Sequence, residues 1–210
     1  DGGPRPTLYR AFRVLGLHLP GTDLALNGGR LALWLAGLLA LFSALTSTYR
    51  YCNSGWIADL SPIPESMENA IRGRGLVNSW HFTQYQPRDY AVAAENTTLH
   101  IFADHYEPIL YPLIPLYRLF PSPVALFAAQ ALLIASSVWA VYQFALLELK
   151  KETWAVLIAL LYCLYPAVVG ASWYLHPAFF PMSFLAWAFW ASAAKRDGAL
   201  AVFLLLTLAC

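Results

Sequence analysis

A chain of 210 residues in which 59% of the side chains are hydrophobic and 12% charged carries about half of the roughly 25% charge of an ordinary soluble domain. Its mean hydropathy of +0.52 reads as an integral membrane protein, and a net charge of +1 excludes the strong field that nucleic-acid or acidic partners require. Three cysteines, Cys52, Cys163 and Cys210, are odd in number, and two lie in apolar runs. They set out neither a disulfide framework nor a metal-ligand spacing.

Residues 1–30 carry Arg5, Arg10, Arg13 and Arg30 against Asp1 and Asp23. The positive-inside rule assigns this segment to the cytoplasm. No cleavable signal peptide is evident, so the apolar run 31–49 reads as a retained first transmembrane helix. Residues 50–108 then form a long external loop, where Asp59, Glu65, Glu68, Asp89, Glu95, Asp104 and Glu107 place seven of the twelve acids. Within it, residues 61–72 predict a short helix with prolines at its entry, acids in its first turn and Gly73 at its stop.

Within the segment 109–122, residues 109–120 are apolar apart from Arg118 and are broken by Pro112 and Pro115. A stretch this short cannot cross a layer that needs about 20 helical residues, which predicts a re-entrant or interfacial segment beside a wet cavity. Residues 123–210 supply transmembrane helices two to five. Residues 124–149 end at Lys150-Lys151, 154–172 cross outward, 178–194 return to Lys195-Arg196, and helix five begins at Ala199. Every basic cluster then falls on the cytoplasmic side. Helix five is expected to be cut short at Cys210, which makes the chain an N-terminal fragment.

Under this topology Asp59, Glu65, Glu68, Asp104, His105, Glu107 and His176 share the outer side. A carboxylate there can take a proton from an acceptor hydroxyl as general base. Asp59, His105, Glu107 and His176 can instead hold a divalent metal such as Mg or Mn. Arg72, Arg74 and Arg118 offer planar forks to phosphate. Plain structural roles compete with each of these: a turn or cap for Asp59, a solvated helix face for Glu65 and Glu68, snorkelling for Arg118, and a capped inter-helix turn for His176.

The chain resembles the polytopic membrane-protein family catalogued as domain of unknown function 2079, itself similar to the type C glycosyltransferase superfamily. The resemblance covers residues 30–210. It rests on Asp59-Leu60, Asn69 with Gly73-Arg74, His105-Tyr-Glu-Pro-Ile-Leu, Pro115-Leu-Tyr117, Pro121-Ser-Pro123, Gln130, Leu161-Tyr-Cys-Leu-Tyr-Pro166 and His176-Pro177. It implies an all-α polytopic membrane protein, a transmembrane helix bundle whose long, partly helical first external loop carries the active site. It also implies an acid near the end of helix one, where Asp59 stands, and a sugar delivered on a polyprenyl-phosphate lipid. The chain departs from the family pattern just after Asp59, with Ser61 and Pro64-Glu65, so a second acidic role falls to Glu65 or Glu107.

The reading that follows is a membrane glycosyltransferase of the prokaryotic plasma membrane, with its N-terminus cytoplasmic. Asp59, His105 and Glu107 are the expected catalytic residues, and Glu65, Asn69, Arg74, Arg118 and His176 the expected substrate contacts. Partners are the lipid-linked sugar donor and membrane lipids, and the donor's tail is expected along 109–122. The alternative is a transporter or lipid-binding membrane protein without covalent chemistry.

Overall fold

A computed structural model describes residues 27–53, 62–78, 99–103, 106–173 and 175–210, of which 81% are helical. Among the described residues two helices are long and apolar enough to cross a membrane: α1 (Gly28–Asn53) and α4 (Pro123–Leu149). At 1.5 Å per residue each extends about 40 Å, more than the roughly 30 Å of a hydrocarbon layer. They run antiparallel. The Gly28 N–H donates to Glu152 Oε1 at 2.6 Å at one end, and Tyr51 meets Phe127 edge-on at 5.5 Å at the other.

Helix α4 is the hub, packing on α1, on α5 (Glu152–Leu164) and on α7 (Phe180–Ala193), while α8 (Asp197–Leu208) packs on α7. Small residues make this possible. Ala32, Ala145, Ala155, Ala159 and Ala171 are buried in one cluster with Ile134, Val138 and Tyr142, so backbones approach closely where lipid gives no hydrophobic drive between helices. Outward faces stay apolar: Leu38, Phe42 and Leu45 of α1 and Leu204, Leu205 and Leu208 of α8 are exposed.

Helix α7 runs parallel to α4, since Trp187 Nε1 donates to Ser136 Oγ at 3.1 Å and Phe189 lies against Phe144 further along. The turn between α7 and α8 therefore falls at the same end as the turn between α4 and α5 and the start of α1. Arg30, Lys150, Lys151, Lys195 and Arg196 gather there.

Two expectations about proline change. The run 154–172 is not one helix, because Pro166 lacks an N–H and forces Tyr165 out of the helical region, to φ −65° and ψ 128°. It divides into α5 and the six-residue α6 (Pro166–Ala171). Pro115, by contrast, breaks nothing: it falls in the first turn of α3 (Leu113–Leu119), where no intrahelical donor is needed. A 3₁₀ turn, Pro108–Leu110, precedes that helix.

The short helix α2 (Pro62–Ile71) ends as the sequence requires. Gly73 sits at φ +78°, its N–H donates to Ala70 O, and the Arg74 N–H donates to Asn69 O. This is the Schellman pattern that glycine permits. The chain then enters a two-stranded antiparallel ribbon of β1 (Val77–Asn78) and β2 (Leu99–His100), with Val77 opposite His100.

Candidate functional site

The N-terminal end of α4 is where the polar segment docks. Ile63 and Met67 of α2, Leu76, Ile101, Leu110 and Tyr117 of α3 form one buried cluster with Leu126 and Phe127 of α4 and with Leu175. Burying such side chains contributes roughly 1.5–3 kcal/mol each, which holds 62–78, 99–103 and 106–119 against the helix ends. The turn after α6 meets the same end. Gln130, 1% exposed, donates from Nε2 to Ala171 O and accepts the His176 N–H through Oε1, both at 3.0 Å. Ser47 Oγ of α1 donates to Ser172 O at 2.8 Å.

Several residues nominated from sequence lie at this end. Glu107 is 6% exposed and immediately precedes the Pro108–Leu110 turn. Two residues on, the Ile109 N–H donates to Ala209 O at 2.8 Å, tying the segment to the far end of α8. Glu65 is half-buried on α2, and Glu68 pairs with Arg72 at 2.5 Å. Arg74 and Arg118 are exposed. The Asn69 amide is spent on the fold, donating to Val77 O at 2.7 Å and joining α2 to the ribbon. Asp59, Asp104 and His105 lie outside the described residues.

His176 has a defined chemical state. Its Nδ1 accepts the Ala178 N–H at 3.1 Å, so in the neutral ring the proton sits on Nε2. That nitrogen is then a donor, with no lone pair for a metal. His100 repeats the pattern, accepting the Phe102 N–H at 3.2 Å. Among the described residues no three His, Cys, Asp or Glu side chains gather as a metal site. Of the expected Mg or Mn set, Asp59 and His105 lie outside the described residues, and this tautomer of His176 suits a donor to an anionic oxygen rather than a metal ligand.

Tyr117 was not nominated from sequence. Burial, then the charges of Glu68 and Tyr51, push its phenol above the ordinary value. Gln130 was also not assigned a role, and Trp173 was expected only in an interfacial aromatic belt. Both act through partners more than forty residues away.

An apolar groove of about 870 Å³ opens between α4, α5, α6 and α7, lined by Val141, Tyr162, Gly170, Trp173, Phe179 and Phe189 among others. No residue of 109–120 lines it. On its wall the Tyr162 hydroxyl lies 2.8 Å from Ser137 Oγ.

A family model described as "Predicted membrane protein (DUF2079)" matches residues 63–210, beginning just past Asp59. No curated protein matches the chain, and no solved structure does.

Proposed function

We propose a function for a chain that belongs to the DUF2079 family of predicted membrane proteins: it is a polytopic membrane glycosyltransferase that takes a sugar from a polyprenyl-phosphate-linked donor outside the plasma membrane. The observation that carries this reading is the docking of α2, the ribbon and α3 onto the N-terminal end of α4, beside the His176 turn. Charged and hydrogen-bonding groups are thereby stacked directly above apolar helices. An amphiphilic donor with a phosphate at the boundary suits that arrangement.

In the proposed reaction Asp59 accepts the proton of the acceptor hydroxyl. The hydroxyl oxygen attacks the anomeric carbon from the face opposite the phosphate, and the bond from that carbon to the phosphate oxygen breaks with its electron pair. Configuration inverts. The lipid phosphate leaves as an anion, which Arg118 or Arg74 and the Nε2–H of His176 stabilise by charge-assisted hydrogen bonds. Glu107, with its carboxylate buried at the same end, orients the sugar hydroxyls. His105 acts beside it as a second donor to the leaving phosphate.

The test is sugar transfer from lipid-phosphate donors by purified full-length protein, wild type against Asp59→Asn. Loss of a general base costs about 10²–10⁴-fold in rate. Undiminished transfer by the variant removes Asp59 from the mechanism. Movement of the intact donor across vesicles without bond cleavage would instead establish the transporter reading.

A further inference from the structure

The groove has a direction and a depth. It starts at the turn after α6, where Trp173 and Ala178 line it, and reaches Val141 on α4 and Phe189 on α7. Gln130 holds that turn, and Val141 is eleven residues further along α4 (141 − 130). Eleven helical residues rise about 16 Å, close to half of a hydrocarbon layer of about 30 Å. The groove is thus about as deep as one leaflet is thick. A neighbouring transmembrane helix would need a face running the full thickness, and three turns of helix about 10 Å wide occupy roughly 1,200 Å³. The observed 870 Å³ lies instead within the roughly 300–1,000 Å³ of small-molecule sites.

Its open end carries a cation. The Arg50 guanidinium on the last turns of α1 sits 5.3 Å from the centroid of the Trp173 ring, and Trp173 is 45% exposed. The Ser47–Ser172 hydrogen bond holds α1 against the turn at this level. Arg50 precedes the polar loop and was not among the phosphate contacts expected from sequence. An apolar channel of leaflet depth, with an aromatic ring and a guanidinium at its rim, matches one ligand chemistry: a hydrocarbon tail ending in phosphate.

We propose that the groove between α4, α5, α6 and α7 seats the tail of a polyprenyl-phosphate lipid, with Arg50 contacting its phosphate. The isoprenoid identity of the tail rests on the function proposed above, while the groove and its cation stand on geometry alone. The tail then runs beside α5 and α6 and not along 109–122, none of whose residues lines the groove.

Binding, rather than transfer, tests this on full-length protein in detergent. The probes are a polyprenyl monophosphate, the matching polyprenol, a bulk phospholipid and inorganic phosphate. A side chain at Gly170 would point into open space, since an added Cβ meets nothing within 4 Å. Gly170→Phe should therefore fill the groove and weaken both polyprenyl probes about tenfold or more, with Gly170→Leu as the smaller version should the first not fold. Arg50→Gln should weaken the monophosphate about tenfold and leave the polyprenol unchanged. Inorganic phosphate and the bulk phospholipid should bind at least about tenfold more weakly than the polyprenyl monophosphate.

Unchanged binding in a folded Gly170 variant places the tail elsewhere and overturns the proposal. So does a full preference for the monophosphate over the polyprenol in Arg50→Gln, or equal binding of the bulk phospholipid. Groove-dependent binding without any sugar transfer would sink the glycosyltransferase reading and leave this site standing.

Discussion

Gln130 is the residue whose replacement is most informative, because one buried amide closes two hydrogen bonds across forty residues. Its Nε2 donates to Ala171 O and its Oε1 accepts from His176 N, each at 3.0 Å. Gln130→Met keeps the volume and removes both partners. Within membrane proteins an interhelical hydrogen bond contributes about 0.6 kcal/mol on average and at most about 1.7, so the pair contributes roughly 1.2–3.4 kcal/mol. Leaving a buried carbonyl and a buried N–H unsatisfied pushes the loss toward the upper part of that range. Reversible unfolding in mixed detergent micelles should register about 2 kcal/mol. Hydrogen exchange should rise at the amide of His176, while the middle of α4 stays protected. A loss below about 0.5 kcal/mol would be within the noise of an ordinary surface change and would refute the idea that Gln130 fixes the turn.

Other consequences follow from single contacts. A Cβ on Gly28 would collide with the Glu152 side chain, whose Cδ would lie 2.8 Å away; Gly28→Ala should therefore displace the carboxylate that caps α1 and cost about 1 kcal/mol in unfolding measurements. Glu152→Gln keeps an acceptor and should cost less than Glu152→Ala in the same assay. Gly73→Ala should cost about 1–2 kcal/mol, because the αL position at φ +78° is unfavourable for a residue with a Cβ. The raised pKa of Tyr117 also has a sign. The unfolded phenol loses its proton first, near pH 10, so stability from this group is intact below about pH 10 and falls as the pH rises toward the folded value. Melting curves from pH 8 to 11 should show a shallower decline for Tyr117→Phe than for wild type, and equal slopes would remove Tyr117 from that dependence.

Much of the frame could be read from residue order. Hydropathy marks α1 and α4, because a helix in lipid needs an uninterrupted apolar run. The end of α2 is legible because Gly73 is the residue that tolerates the left-handed turn. Pro166 is different: it stands inside the apolar run 154–172, and a hydropathy average passes over it while the backbone cannot. The exception at Pro115 has the same origin, since a proline's effect depends on which turn of a helix it occupies.

The candidate site was legible only as residue types. His176 before Pro177 suggested either a ligand or a capped turn, and its Nδ1 bond to Ala178 N selects the cap. Asn69 stood in a suggestive block with Gly73-Arg74, yet its amide serves the Val77 carbonyl. Arg50 and Trp173 meet across 123 positions of sequence (173 − 50), and neither hydropathy nor motif spacing links them. Such pairings depend on the antiparallel packing of α1 against α4, which only coordinates supply.

The central claim is that the end carrying α2, the ribbon and the His176 turn faces outward, opposite the basic turns. Single cysteines at Arg74 and Lys195, introduced into full-length protein with Cys52, Cys163 and Cys210 replaced by serine, report this in intact cells through a membrane-impermeant maleimide. The account predicts labelling of Arg74→Cys in sealed cells and of Lys195→Cys only after permeabilisation. The reverse pattern, or labelling of both in sealed cells, would contradict it.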